Sequence, residues 1–578
     1  MADAIAAFPA GILAAMGVVI LLAGRAWKSD VLSGVLCGAA LVLAAGTLDF
    51  SELRTREGVA PSSAGNQTVA SPEMIAKSST AASRPFVIED RLSRSATWLT
   101  LLLGLLAAVA TVDGGSSRVC RRLAILLLSL SGVLLAAVAN NLVLAVIAME
   151  LASLPATVLL FVERDAPHAR TAALRSLALN IFALAMLVAG AALITLVSGT
   201  TNLEDLRAAL PHAATLQHVR TLRVESPITA AIGCVFLLAG FGVHFLAAPF
   251  QLAAAEIFDG AKAWGVGLTA LFPRGAALLL MIRVLVNGPP RLQGTAQTLF
   301  TAVGFLTMLI GGLLVVSQTR IRRLLAFMVV FQSGLILAAL AAGCSERARP
   351  AATPWLGTEL PGGVGSACLC FAIDSLALVG LLALIGLRER NDHPLDEVEQ
   401  LVDAVRGDRV RAGALCILAA SLVGLPPFAG FWPRLAILRS MLSISVPAEN
   451  GFLPHQNVDY VVVAIAAAGG LILQAAVVLG LIKKVLLDDL DAPRVEVLRG
   501  DRSSRANALE RGVLAVGLLA ALAAVLLGIF PGPATRAAAR GAADEYAIDA
   551  ASADQGASSP AGRKAVRRRG HAPDEDDD

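Results

Sequence analysis

Residues 240–250 read GFGVHFLAAPF and residues 424–434 read GLPPFAGFWPR, and both stretches interrupt long apolar runs. Proline has no backbone N–H and clashes with the preceding helical turn, so each stretch is predicted to break a helix. His244 lies in the first stretch and Arg434 ends the second. A pair of apolar segments interrupted by Gly and Pro at corresponding positions indicates a transporter fold built from inverted repeats.

The composition of the whole chain agrees with a location in the lipid bilayer. Of its 578 residues, 56% are hydrophobic and only 16% are charged, and the mean hydropathy is +0.72. These values exclude a water-soluble enzyme. The net charge of +3 gives no basic excess of the kind that would recruit nucleic acid.

Apolar windows long enough to cross a bilayer recur along the chain, since a spanning helix needs about 20 residues. They lie at residues 9–26, 31–49, 95–112, 121–139, 141–162, 170–197, 228–249, 262–286, 297–317, 321–342, 364–387, 412–433, 460–482 and 511–530. The sequence therefore predicts an all-α polytopic membrane protein with about fourteen transmembrane helices. Spans 4–8 and 9–13 are predicted to form two inverted five-helix repeats, each containing an interrupted helix.

The spans divide the chain into segments, and two polar stretches that lack apolar periodicity are predicted to be disordered. The predicted segments are residues 1–114, with spans 1–3 and a polar loop at 51–95; 115–290, the first repeat; 291–485, the second repeat; 486–533, a loop and the last span; and 534–578, a disordered tail. Basic residues concentrate on alternate connections, such as 118–122 and 320–323. The positive-inside rule therefore predicts that those connections face the cytoplasm and that both termini lie on the outer side of the membrane.

Ionisable side chains inside the spans are few and are candidates for function, because lipid makes a buried charge costly. Glu150 in the fifth span and Arg175 near the start of the sixth are expected to neutralise one another, in a functional or a purely structural ion pair. His244 can change its charge near neutral pH, as a proton relay requires. Arg274 follows a proline in the eighth span, and Asp374 in the eleventh has no evident role.

The seven cysteines give no sign of a metal or iron–sulfur site. They contain no Cys-x-x-Cys cluster, and most lie within apolar runs, where a thiol packs as a small hydrophobic group. Cys368 and Cys370, the nearest pair, are interpreted as packing residues. Any electron chemistry is therefore expected outside this chain.

Taken in order, five motifs resemble the antiporter-like subunits of respiratory complex I, and within them the subunit N group. They are 149–155 (MELASLP, with Glu150 as the acid), 198–203 (SGTTNL), 323–327 (RLLAF), 424–431 (GLPPFAGF) and 527–533 (LGIFPGP). The resemblance covers about residues 121–533. The segments 198–203 and 527–533 favour the subunit N group over its sister subunits.

The resemblance implies a subunit of an NADH:quinone oxidoreductase that translocates protons and carries out no hydride or electron transfer itself. No cofactor or metal is expected in this chain; NADH, FMN, iron–sulfur clusters and quinone are expected in partner subunits. Glu150 would couple the charge state, His244 would hold the central relay position, and Arg274 and Arg434 would stand on the exit side. The expected partners are other membrane subunits and, through them, a peripheral NADH-oxidising arm, all at the bacterial inner membrane.

The chain departs from this family at the residues expected to carry protons. Its side chains where the family has lysine or histidine are Arg175, His244, Arg274, Arg434, Gln251 and Gln332. Arginine stays protonated in proteins, so it cannot release and take up a proton as a relay lysine can. Two alternatives therefore stay open: a cation/proton antiporter subunit without redox coupling, and a non-pumping structural subunit of the complex.

Overall fold

The computed structural model of the chain describes most of the predicted membrane region. The described residues are 7–23, 30–57, 85–111, 119–162, 169–209, 226–260, 263–345, 353–355, 358–389, 397–405, 408–445, 458–486 and 504–542. Nearly all of them are helical, as the hydropathy pattern predicts.

The first six helices are continuous and follow the first six apolar windows. They are α1 (Phe8–Ala23), α2 (Asp30–Glu57), α3 (Arg91–Thr111), α4 (Val119–Val138), α5 (Leu142–Val162) and α6 (Ala169–Ser198), and a short helix α7 (Leu203–Ala209) follows. A helix satisfies its backbone hydrogen bonds internally, which lipid requires of any spanning segment. Pro155 lies inside α5 without ending it.

The seventh span is interrupted, as predicted from residues 240–250. Helix α8 (Ser226–His244) ends at the histidine, and α9 (Leu252–Gly260) begins after seven non-helical residues. Leu246 adopts a left-handed backbone conformation with φ of 57°, which is uncommon for a side chain of this size. The backbone N–H of Ala248 donates to the hydroxyl of Thr307, 2.9 Å away on a later helix.

The central part of the chain surrounds one fully enclosed helix. Helix α10 (Ala263–Met281) continues as a π-helical turn (Ile282–Val286), and α11 (Pro290–Val316), α12 (Ile321–Gly343), α13 (Gly363–Glu389) and the short α14 (Val398–Val405) follow. The apolar window of α12 is entirely buried. Between α12 and α13, strands β1 (Thr353–Trp355) and β2 (Thr358–Leu360) pair antiparallel, with Thr353 opposite Leu360.

The twelfth span is broken at residues 424–430. Helix α15 (Arg409–Val423) comes before the break, and α16 (Phe431–Ser445), α17 (Val458–Leu486), α18 (Ser504–Ile529) and a last helix α19 at 532–542 come after it. The Asp408 side chain caps α15 by accepting the N–H groups of Val410 and Arg411 at 3.1 and 3.2 Å. Gly424 ends α15 at φ of 92°, a conformation that favours glycine.

The first two helices of each predicted repeat cross at a glycine. A Cβ on Gly132 of α4 would lie 2.2 Å from the backbone nitrogen of Ala152 in α5, and a Cβ on Gly311 of α11 would lie 2.6 Å from that of Phe331 in α12. Gly311 follows Gly132 at the same sequence distance as Phe331 follows Ala152. The two helix pairs are therefore equivalent.

The connections that follow the third helix of each repeat are equivalent too. Asn141, at the start of α5, bridges to Asn202 just before α7, and Arg320, at the start of α12, bridges to Glu397 just before α14. In both places the first residue of the short helix donates its N–H across the bridge at 3.0 Å. These matches support the predicted repeats over their first three helices. With five crossings in each repeat, an odd number, the second repeat is predicted to be inverted.

Each of the fourteen predicted windows contains a helix. Among the described residues, nine helices are long and apolar enough to span a membrane, and shorter apolar helices lie in α1, α2 and α8. The other two windows correspond to α10 and to the pair α15 and α16.

The predicted disordered stretches are too wide. Residues 51–57 continue α2, residues 91–95 begin α3, and residues 534–542 of the predicted tail belong to α19. Residues with good helix propensity, such as Glu, Leu and Arg, extend α2 and α3 beyond the apolar windows, and Ala-rich residues form α19. Within α19, Thr535 and Ala542 are buried. The remaining parts of the predicted loop and tail, 58–84 and 543–578, lie outside the described residues.

Candidate ion-translocation site

Glu150 lies in the middle of α5 with its carboxylate turned into the protein. Both carboxylate oxygens are shielded from solvent, and neither has a hydrogen-bond partner among the described residues. Ser153, one helical turn further on, has a buried hydroxyl that likewise has no hydrogen-bond partner among the described residues. A buried carboxylate without a partner is costly, so this position is suited to exchanging a proton rather than to stabilising the fold.

A small cavity with several polar groups in its wall lies between α5 and the first helix break. Its volume is about 30 Å³, and its polar lining comes from Ser153, Thr157, Ser176, Asn180 and His244. The Asn180 amide donates to the Thr157 hydroxyl at 2.5 Å. A polar cavity of this size has room for one or two water molecules.

His244 stands where the cavity meets the break. It is the last residue of α8, its exposure is 6%, and its Nε2 has no hydrogen-bond partner within the described part of the chain. The α8 break therefore presents an imidazole to a water-sized space whose walls offer hydroxyl and amide groups. This arrangement can hold a proton and pass it on.

Arg274 of α10 lies between the two breaks. It is 1% exposed, and its guanidinium carbon lies 5.1 Å from the ring centre of Phe245 and 5.8 Å from that of Phe371, within the range of cation–π attraction. Its Nη2 approaches the carbonyl of Val329 at 3.4 Å.

Arg434, in the first turn of α16, forms a buried ion pair with Asp374 of α13. The Nη2–Oδ1 distance is 2.5 Å, and the two side chains are 3% and 1% exposed. Nη2 also donates to the carbonyl of Leu422 at 2.6 Å, and Nη1 donates to that of Gly430 at 2.9 Å. The second break therefore holds its cation in a network of charge-assisted hydrogen bonds.

Two glycines shape the space for the Arg434 side chain. A Cβ on Gly424 would lie 2.3 Å from Cδ of Arg434, and a Cβ on Gly430 would lie 1.8 Å from the carbonyl oxygen of Ser421. Neither position can accept a side chain without moving the backbone or the guanidinium. The GLPPFAG sequence therefore both breaks the helix and encloses the arginine.

The predicted pairing of Glu150 with Arg175 is wrong. Arg175 lies on the outer face of α6 with 65% of its side chain exposed, and it pairs with Glu256 of α9. The sequence places the two side chains on consecutive helices but does not show whether each one points into the protein or away from it. Glu150, His244, Arg274 and Arg434 face the interior, whereas Arg175 does not.

The sequence left Asp374 without a role, and the structure makes it the partner of Arg434. Gln332 of α12, which departs from the family pattern, donates to the carbonyl of Leu422 at 2.8 Å. Both positions are polar side chains inside apolar runs, which is the signal that could have identified them. Among the described residues, no group of His, Cys, Asp and Glu side chains has the geometry of a metal site.

Comparisons with known proteins agree with this architecture. Residues 139–450 match the family described as NADH:quinone oxidoreductase/Mrp antiporter, transmembrane. A curated relative, NADH-quinone oxidoreductase subunit N of Rhodobacter capsulatus, is 27% identical over 318 residues, which is 55% of this chain and 61% of the relative. The match thus spans less than two thirds of the length of that relative.

Solved structures share the fold. A chain of respiratory complex I from Thermus thermophilus aligns with a TM-score of 0.63 and 22% identity, covering 92% of this chain and 99% of that one. A chain of the Mrp complex from Dietzia sp. DQ12-45-1b aligns with a TM-score of 0.66 and 19% identity, covering 94% and 97%. The family match extends over more than half of the chain and includes both helix breaks, so this protein belongs to the NADH:quinone oxidoreductase/Mrp antiporter transmembrane family.

Proposed function

We propose that the chain is a proton-translocating membrane-arm subunit of a bacterial NADH:quinone oxidoreductase, of the subunit N type. The observation that carries this proposal is the cavity between His244 and the helix that carries Glu150. His244 lines a water-sized cavity together with Ser153, which lies one turn beyond the buried and unpartnered carboxylate of Glu150 on α5. The names of the curated relatives support the assignment to the redox complex.

In this proposal the chain itself binds no redox cofactor. NADH, FMN, iron–sulfur clusters and quinone belong to partner subunits, and the free energy of quinone reduction reaches this chain through neighbouring membrane subunits. The chain then responds by moving a proton between Glu150 and His244. The place of action is the bacterial inner membrane.

The proposal is tested by purifying a tagged copy of the chain from its native membranes in mild detergent. Mass spectrometry identifies the proteins that co-purify, and NADH-to-quinone activity is assayed on the same fraction. We expect a peripheral NADH-oxidising arm and quinone reductase activity. Isolation of the chain alone, without either, would contradict the proposal.

A second function, cation/proton antiport without redox input, is favoured by the structural likeness to the Mrp complex. The same purification separates the two functions. Recovery with other antiporter-like chains and no NADH-oxidising arm would support antiport. Cation-dependent proton movement in proteoliposomes, without NADH, would then be the activity to measure.

A further inference from the structure

The two helix breaks occupy corresponding places in the two repeats, but their polar groups are arranged differently. At the first break, Nε2 of His244 has no hydrogen-bond partner among the described residues and adjoins a cavity of about 30 Å³. At the second break, the Arg434 side chain donates to three oxygens, on Asp374, Leu422 and Gly430. The first break therefore adjoins space for water, and the second holds a cation fixed by hydrogen bonds.

The acceptors at the second break are also occupied. Asp374 receives Arg434 on Oδ1 and the thiol of Cys370 on Oδ2, the latter at 3.2 Å. The carbonyl of Leu422, near the end of α15, receives both Arg434 and Gln332. A carbonyl that a helix break would otherwise leave open is therefore used by two fixed side chains.

We propose that the Arg434–Asp374 ion pair is a closing plug, in which Asp374 holds Arg434 across the second break so that protons exchanged at His244 cannot leave there. Arginine keeps its proton in proteins, so Arg434 fills the break without acting as a relay. Asp374 is a positioning residue that acts through Arg434. The inference rests on the proposed function for its biological meaning, but the closure itself can be measured without NADH.

The test compares two buried ion pairs in the purified complex, reconstituted into proteoliposomes. Arg434→Gln with Asp374→Asn removes both charges of the plug together, so that neither is left as an uncompensated buried charge. The matched control is Arg283→Gln with Asp90→Asn, since that pair is 4% and 7% exposed with an N–O distance of 2.8 Å and lies outside both breaks. Passive proton influx under an imposed membrane potential and protons moved per NADH are both recorded.

We expect the Arg434/Asp374 double variant to raise passive proton influx severalfold over the wild type, while the Arg283/Asp90 double variant leaves it unchanged. Unchanged influx with fewer protons per NADH would place the pair on the conducting route and overturn the proposal. If neither passive influx nor protons per NADH changes, the pair is purely structural and the proposal is overturned. An equal rise of influx in the Arg283/Asp90 control would also overturn the proposal.

Arg434→Lys provides a second variant if the double variant does not assemble. Lysine keeps the countercharge for Asp374 but can release a proton when buried. We expect an increase in passive influx here too, and wild-type influx would overturn the plug. A wild-type complex that moves no protons with NADH would contradict the proposed function alone, since the influx comparison still decides the plug.

Discussion

Glu150 and Arg434 are both ionisable side chains inside a membrane protein, and their surroundings give them opposite properties. Arg434 donates to three acceptors, one of which is its countercharge Asp374, whereas the Glu150 carboxylate has no hydrogen-bond partner among the described residues. A guanidinium bonded through both terminal nitrogens is held in place, and a buried carboxylate without a partner favours uptake of a proton. Proton exchange is therefore expected at Glu150 and not at Arg434.

Replacing Glu150 with Gln should lower the number of protons moved per NADH oxidised, while assembly and NADH oxidation are retained. Glutamine fills the same space but cannot take up a proton. The stoichiometry is measured in proteoliposomes with an internal pH dye. Glu256→Gln is the matched control, because Glu256 is a half-exposed acid paired with Arg175. Equal stoichiometry in the two variants would contradict the role of Glu150.

His244→Leu should have the same effect as Glu150→Gln, because leucine cannot exchange a proton with the cavity. His244→Lys should be tolerated, since lysine is the residue type that the family resemblance gives for this position and it can also titrate when buried. Both variants are compared by protons moved per NADH and by recovery of the intact complex. Normal pumping in His244→Leu would exclude the imidazole from the route.

For single residues, the sequence alone shows which charged side chains lie inside apolar runs but not what they contact. A charge in an apolar run is visible in the sequence, so Glu150, Arg274 and Arg434 could be named. Asp374 and Arg434 are separated by two helices along the chain, and only tertiary packing brings them together. The outward direction of Arg175 likewise depends on how α6 is rotated against α5 and α9.

Among the elements, the glycine crossings between α4 and α5 and between α11 and α12 fix how closely these helix pairs approach. Helix association in lipid depends on close packing at small residues. At Gly311 a side chain would meet the backbone nitrogen and Cα of Phe331, at 2.6 and 2.8 Å. Backbone atoms cannot rotate aside, so α12 itself would have to move.

Gly311→Ala should therefore lower the stability of the complex, by about 1–3 kcal/mol, the usual cost of overpacking. Gly294→Ala in the same helix is the control, because no atom lies within 4 Å of a Cβ there. Alanine has the higher helix propensity, so that change should be neutral or slightly stabilising. Thermal unfolding of the two purified variants measures the difference, and equal midpoints would refute the crossing argument.

The elements themselves could largely be predicted, for a physical reason. Lipid imposes a minimum apolar length on each span, and proline with glycine breaks a helix wherever it occurs, so the windows and both breaks follow from local sequence. The short helices α7, α14 and α19 and the polar extensions of α2 and α3 could not be predicted from hydropathy, because they do not depend on contact with lipid.

For the molecule as a whole, buried and exposed ion pairs differ greatly in what they contribute to the stability of the fold. Arg283 and Asp90 join the π-helical turn after α10 to the start of α3, and both side chains are nearly fully buried. Arg175 and Glu256 lie at the surface of the chain. Removing one partner of a buried pair leaves an uncompensated charge, whereas exposed pairs contribute little.

Arg283→Gln should destabilise the protein by about 3–5 kcal/mol. Arg175→Gln should cost less than about 1 kcal/mol. Thermal unfolding in detergent compares the two variants, and the yield of intact complex gives a second measure. A larger loss in Arg175→Gln would show that its contact with Glu256 carries more of the fold than its exposure indicates.

Contacts between the repeats also bear on how the protein is made. The first break is held in part by Thr307, which belongs to α11, and Arg274 of the first repeat reaches the carbonyl of Val329 in α12. The ribosome delivers the first repeat to the membrane before either partner exists. That repeat must therefore wait in the bilayer with its break incompletely bonded, and its native form is reached only after α11 and α12 have been inserted beside it.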